Sequence, residues 1–215
     1  GFWQQNNNGD YLTDFPDFTN PLYKFYDANI HLGGPIKKDK LWFYQGFQFQ
    51  HFDDYAAGFL GGPRAYDQPR SFTKITAQLT PSTNMMFGLE IDAYNGENRG
   101  ASATTSPDAV VGQKSPEVVG NFSLTHIFSP KTFFDVKAAY FWGYYYLEPK
   151  TGRDTYSHFD LDQNLWLYNS GYYYLADRTR FQANASLTHY AEDFITGNHD
   201  FKFGVEVERS GCRSR

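Results

Sequence analysis

Apolar and polar side chains alternate with a period of two along most of the chain. Successive side chains of a strand point to opposite faces, so this pattern predicts strands. The clearest run sets Met85, Phe87, Leu89, Ile91 and Ala93 against Gly88, Glu90 and Asp92. An opening hairpin over residues 23–52 has the same form. Tyr26, Ala28, Ile30 and Leu32 share one face, and Asp27, Asn29 and His31 the other. Gly33, Gly34 and Pro35 are expected to break the ladder there, because Gly permits positive φ and Pro has no N–H to offer. Lys37, Lys38, Asp39 and Lys40 place the turn in water, and Leu41-Trp42-Phe43-Tyr44 starts the return strand. Further strands are predicted over 70–80, 85–94, 117–128, 133–147, 177–190 and 200–208. Tight turns are expected at 81–84, 129–132 and 195–198, and long loops over 53–68, 95–115 and 148–175. Residues 1–22 read as a loop, 23–209 as one β unit and 210–215 as an irregular tail.

The count is about eight strands in four hairpins, with short turns and long loops alternating throughout. Outer-membrane barrels keep that alternation, and a sandwich has no reason to. The predicted fold is therefore all-β: a segment of an antiparallel up-and-down transmembrane β-barrel in meander order. Mid-strand charges at Lys74, Glu90, Asp92, Asp135, Lys137, Lys202 and Glu206 would then line a wet lumen. In a soluble sheet they would face outward over an apolar core. Two features favour lipid. Small residues (Ala77, Ala93, Ala138, Ala183, Ala185) recur on the apolar faces and would fill a sandwich core poorly. Aromatics cluster at strand ends, with Trp42, Phe43, Tyr44, Phe133, Tyr144 and Tyr146 as candidate membrane-interface anchors.

The stretch LGGPIKKDKLWFYQGFQ, residues 32–48, resembles a hairpin of Oar-like TonB-dependent outer-membrane receptors. That family carries Gly-Gly-Pro-Ile, a basic residue, Asp-Lys and an aromatic strand start near the beginning of its barrel. HDFKFGVEVER, residues 199–209, resembles a later strand of the same family. The resemblance implies a larger barrel in the bacterial outer membrane, plugged by an N-terminal domain and importing a scarce nutrient. It implies as partners outer-membrane lipid, the TonB energy-transducing complex and a small nutrient ligand. Neither a plug domain nor a TonB-contact segment is visible in the sequence, so the chain reads as a fragment of such a transporter. The alternative is a soluble, secreted, aromatic-rich β domain that binds glycans.

Composition sharpens this picture. Aromatic residues make up 20% of the 215 positions, and the formal charge is −5. Mean hydropathy is −0.61, as expected where polar lumen residues dilute lipid-facing ones. An acidic chain argues against a nucleic-acid partner, whose footprint would be basic. No run of apolar residues is long enough for a membrane-spanning helix. Gly1-Phe2-Trp3 lacks the basic start of a signal peptide. The single cysteine, Cys212, excludes an intrachain disulfide.

Candidate chemistry is sparse, and no enzyme is expected. Asp160-Leu161-Asp162-Gln163-Asn164 begins like a calcium loop, but Leu165 stands where Gly is required and Gly171 where Glu is. The six histidines have no metal-ligand spacing, so neither a metal nor a cofactor is assigned. Asp53-Asp54 and Glu192-Asp193 are acidic pairs read as solvated loop. No phosphate loop, nucleophile elbow or Cys-His pair is present. The loops hold the candidate ligand contacts: Arg64, Arg99 and Arg153 for an anion, and Tyr156, His158, Trp166 and Tyr168 for stacking.

Overall fold

The computed structural model describes residues 2–5 and 23–215. The regular elements are all strands: β1 Phe2–Gln5, β2 Tyr23–Lys37, β3 Leu41–Asp54, β4 Arg64–Thr80, β5 Thr83–Arg99, β6 Val111–Ser129, β7 Thr132–Pro149, β8 His158–Asp160, β9 Leu165–Leu167, β10 Tyr174–Ala191 and β11 His199–Ser214. All but β8 and β9 form one nine-stranded antiparallel sheet in chain order, while β8 and β9 pair with each other. The sheet is an eight-strand meander preceded by the short β1, and it is open. Among the described residues β11 pairs only with β10, and β1 covers the outer side of β2 only at residues 24–27. The expected all-β antiparallel meander is thus present, as an open sheet and not as a closed barrel.

Short turns join the strands at one end: residues 38–40, 81–82, 130–131 and 192–198. Each of the first three is tied to its neighbour. Gln78 N donates to Lys40 O at 2.8 Å, Ile127 N to Ser82 O at 2.8 Å and Tyr190 N to Lys131 O at 2.8 Å. The long connections, 55–63, 100–110 and 150–173, lie at the opposite end.

Several expectations need correction. Gly33, Gly34 and Pro35 do not break the ladder; they pair with Tyr44, Phe43 and Trp42, and the register shifts only between Pro35 and Lys37. Gly33 fits there because an added Cβ would meet Phe43 O at 3.1 Å and the Tyr44 ring at 3.2 Å. Pro35 is tolerated because a bulge on an outer strand needs no donor. The tail is not irregular: Ser210, Gly211, Cys212, Arg213 and Ser214 continue β11 against β10. The loop expected over 1–22 contains β1; its remainder, residues 6–22, lies outside the described residues. The long loops are also shorter than expected, because β4, β5, β6 and β10 run several residues further.

Cross-strand register assigns every side chain to one of two faces. One row of the apolar face reads Ile30, Phe47, Ser71, Ile91, Val118, Trp142, Thr179. The neighbouring row on the polar face reads Asn29, Gln48, Arg70, Asp92, Glu117, Gly143, Arg178. Among the described residues no second layer covers the apolar face. Ile30 is 70% exposed, Phe47 55%, Ile91 46% and Val205 69%.

Buried apolar side chains gather instead at the long-loop end. Phe59, Ala101 and Val110 form a small core there, with Ala56 against it. The loops are also stitched by their backbones. Trp166 N donates to Thr104 O at 2.9 Å, Ser106 N to Trp166 O at 2.8 Å and Lys150 N to Val110 O at 3.0 Å. Asn169, 1% exposed, organises the longest loop. Its Nδ2 donates to Gly152 O and Thr155 O, both at 2.7 Å, and its Oδ1 accepts from Gly171 N at 3.0 Å. Asn169→Ala strands those three backbone groups. A loss of about 2–4 kcal/mol of local stability is expected. Hydrogen exchange should rise over 150–173 and stay unchanged in β3 to β7; equal protection in the variant would refute the role given to Asn169.

Candidate ligand recess on the polar face

The concavities of the sheet open mainly on its polar side. The most voluminous, about 660 Å³, sits midway along the strands between Lys74, Asn121, Lys137, Gln182 and Asn184. Another, about 490 Å³, lies beneath the loop cap between Phe52, Tyr66, Tyr94, Arg64, Arg99 and Gln113. A polar ladder spans the strands between these levels. Gln48 Nε2 donates to both oxygens of Asp27 at 3.0 and 2.9 Å, and Gln50 Nε2 donates to Oδ2 at 3.2 Å. Arg70 Nε donates to Asp92 Oδ2 at 2.6 Å, and its Nη1 reaches Gln48 Oε1 at 3.4 Å. Gln68 Nε2 completes the set with bonds of 3.0 and 2.9 Å to Asp92. Charges on this face are thus bound into a network over β2 to β5.

The structure brings together two of the loop candidates and separates the rest. Arg64 and Arg99 line the recess beneath the cap. Arg64 Nε donates to Asp54 Oδ1 at 2.9 Å and Nη2 contacts Asp54 Oδ2, so its charge is matched. Arg99 Nη1 donates to Gln113 Oε1, a neutral acceptor, and the guanidinium stands 5.9 Å from the centre of the Tyr145 ring. Gln113 is 8% exposed and anchored in turn by a 3.0 Å bond to Ser115 Oγ.

Arg153 lies elsewhere, beyond the end of the apolar face. It makes two 3.1 Å bonds to Glu148 and one of 3.0 Å to Tyr146 OH. It also stands 4.5 Å from the Tyr173 ring centre. The bonds to Glu148 push its pKa up, so it stays charged. His158, Trp166 and Tyr168 belong to the β8–β9 hairpin and its exit, with Phe159 and Trp166 packed at 4.8 Å and His158 and Tyr168 at 6.2 Å. Tyr156 is 91% exposed.

Face assignment divides the candidate interface aromatics. Phe43, Tyr144 and Tyr146 share the apolar face, whereas Trp42, Tyr44 and Phe133 share the polar one. Trp142, Tyr144 and Tyr146 form a ladder with centroid spacings of 6.5 and 5.9 Å. Trp142 Nε1 donates to Asp177 Oδ1 at 3.0 Å. Sequence reasoning missed the three-ring stack of Phe52, Tyr66 and Tyr94, with centroids 5.3 and 5.0 Å apart. These rings come from three strands, and only the register collects them.

The acidic pairs are engaged locally: Asp53 lies 3.9 Å from Lys24, and Glu192 2.6 Å from Lys131. Asp160 Oδ1 accepts from the Asp162 and Gln163 amides at 2.9 and 3.0 Å, a turn-forming use of its carboxylate. Among the described residues no three His, Cys, Asp or Glu side chains are grouped to hold a metal ion. No protein-family model matches the chain, and neither a curated protein nor a solved structure matches it.

Asp92 stands directly across from Glu117, so Arg70 is the cation that offsets this like-charge pair. A double-mutant cycle of Arg70→Gln and Asp92→Asn is expected to give a coupling of about 0.5–1.5 kcal/mol in urea unfolding, discounted for partial exposure. Strictly additive effects would remove the pair from any account of stability.

Proposed function

We propose that this chain is part of the wall of an outer-membrane barrel of the TonB-dependent transporter kind, which admits a scarce nutrient past a plug. One observation carries the reading: among the described residues nothing covers the apolar face, while the opposite face holds most of the recesses and is charged and hydrogen-bonded across strands. That is the inside-out arrangement of a membrane barrel. The likeness of residues 32–48 and 199–209 to Oar-like receptors names the kind of barrel.

The apolar band has a consistent height. It runs from Leu41 to Phe49 on β3, from Met85 to Ala93 on β5 and from Phe134 to Trp142 on β7. Each interval is about 26 Å along the strand, at roughly 3.3 Å per residue. The band of a barrel is about 25 Å tall, and tilt shortens the projection of these intervals somewhat below that. Tyr and Trp rings stand at the loop-side limit, where amphipathic rings meet headgroups. On this reading the long loops are extracellular, and the partners are outer-membrane lipid, an energy-transducing complex and a small nutrient.

The glycan-binding alternative draws on the exposed rings of the cap, Tyr156 and Tyr168 at 91% and 60%. Tryptophan placement separates the two. Trp142 faces the apolar side and Trp42 the polar side. In variants that retain one tryptophan each, reconstituted in vesicles, brominated acyl chains should quench Trp142 strongly and Trp42 little. Equal quenching, or a chain that stays folded and monomeric in buffer without detergent, would overturn the transporter reading.

A further inference from the structure

We infer that the recess beneath the loop cap binds a small organic oxyanion carried on a ring, with the Arg99 guanidinium as its anchor. The inference rests on the reading of the polar face as the lumen, and it adds a ligand class to that reading. Three features define the ligand. First, Arg99 is held by the buried amide of Gln113 and not by a carboxylate. Its neighbour Arg64 is matched by Asp54, so the anion-binding capacity of the recess falls to Arg99.

Second, Phe52, Tyr66 and Tyr94 stack across three strands with interplanar angles of 18° and 28°. All three line the recess, so aromatic surface borders the anchor and suits a ligand that carries a ring of its own. Third, Tyr145 supports the far side of the guanidinium and holds it in place. A volume of about 490 Å³ fits one small molecule of one or two rings.

The test uses the whole chain in detergent micelles with calorimetric titration of glucuronate, glucose 6-phosphate, inorganic phosphate and glucose. Both ring-bearing anions should bind, glucose should not, and inorganic phosphate should bind more weakly than either. Arg99→Gln should weaken glucuronate binding about tenfold or more, the cost of removing a charged hydrogen-bond donor. Arg64→Gln should change it by less than about threefold, since that charge is already paired. Circular dichroism verifies that each variant keeps its β signature, and Tyr94→Phe, which removes one donor without the charge, should weaken binding less than Arg99→Gln. Unchanged binding in Arg99→Gln, equal affinity for glucose, or no anion binding at about 10 mM would overturn the proposal. The two readings fail separately. Binding by a monomer that needs no detergent keeps the site and removes the barrel. A detergent-requiring chain that treats glucose and glucuronate alike keeps the barrel and removes the site.

Discussion

Everything in this fold depends on one sheet whose two faces have opposite solvation needs. The register that places Ile30, Phe47 and Ile91 in one row places Gln48, Arg70 and Asp92 in the next, on the other side. Neither face is optional to the other, because a slip of one residue would exchange them along a whole strand. The polar face satisfies itself: amides and guanidinium groups bridge carboxylates across β2 to β5. The apolar face cannot do so. Leaving a Val, Ile or Phe side chain in water forgoes about 1.5–3 kcal/mol relative to burial, and this face carries many such side chains. Something apolar has to lie against it, and a uniform hydrocarbon medium demands less of it than a matching protein layer.

That difference explains the side chains the apolar face uses. A packed second layer would need interdigitating bulk at native density. Here Ala28, Ala93, Ala138, Ala183 and Ala185 alternate with projecting Phe and Ile, with no facing element among the described residues to interlock with them. At the loop end this side carries ionic groups, such as His51 bonded to Asp67 at 2.7 Å, whereas the polar cluster within the band is closed on itself. Gln45 Nε2 donates to Ser71 Oγ at 3.0 Å, and Thr73 Oγ1 donates to Gln45 Oε1 at 2.5 Å. A polar group facing hydrocarbon is tolerable when its bonds are made within the wall.

Strand cores were legible from sequence because each has one clean apolar face and one polar face. Their loop-side ends were not. Pro69 in β4 and Pro116 in β6 lie where proline argues against a strand. The ladder lapses around each of them on one side: β4 and β5 pair at Asp67 and resume at Arg70, and β6 and β7 pair at Lys114 and resume at Glu117. Prolines therefore sit where no donor is required, and the strands pass through. The same limit hid the recess. Phe52, Tyr66 and Tyr94 are far apart in the chain, and their meeting depends on where two hairpin loops end. Runs such as Tyr144-Tyr145-Tyr146 misled in the opposite sense. They read as one cluster, yet alternation sends Tyr145 to the recess and its neighbours to the apolar face.

The edges extend the argument from faces to backbone. From Ala28 onward β2 has no outer partner among the described residues, and neither has β11. An unpaired edge in hydrocarbon leaves amides and carbonyls unsatisfied at several kcal/mol apiece. In water the same edge is a template for unwanted pairing. Both media therefore ask for further strands. The meander fixes their sense: β2 runs toward the short turns and β11 toward the long loops, so a strand added at either side continues the alternation without reversing a loop. β1 already does this at the β2 side, pairing antiparallel near the loop end. A wall that grows this way keeps its apolar side continuous on one face and its polar side on the other, because each added strand inherits the same alternation.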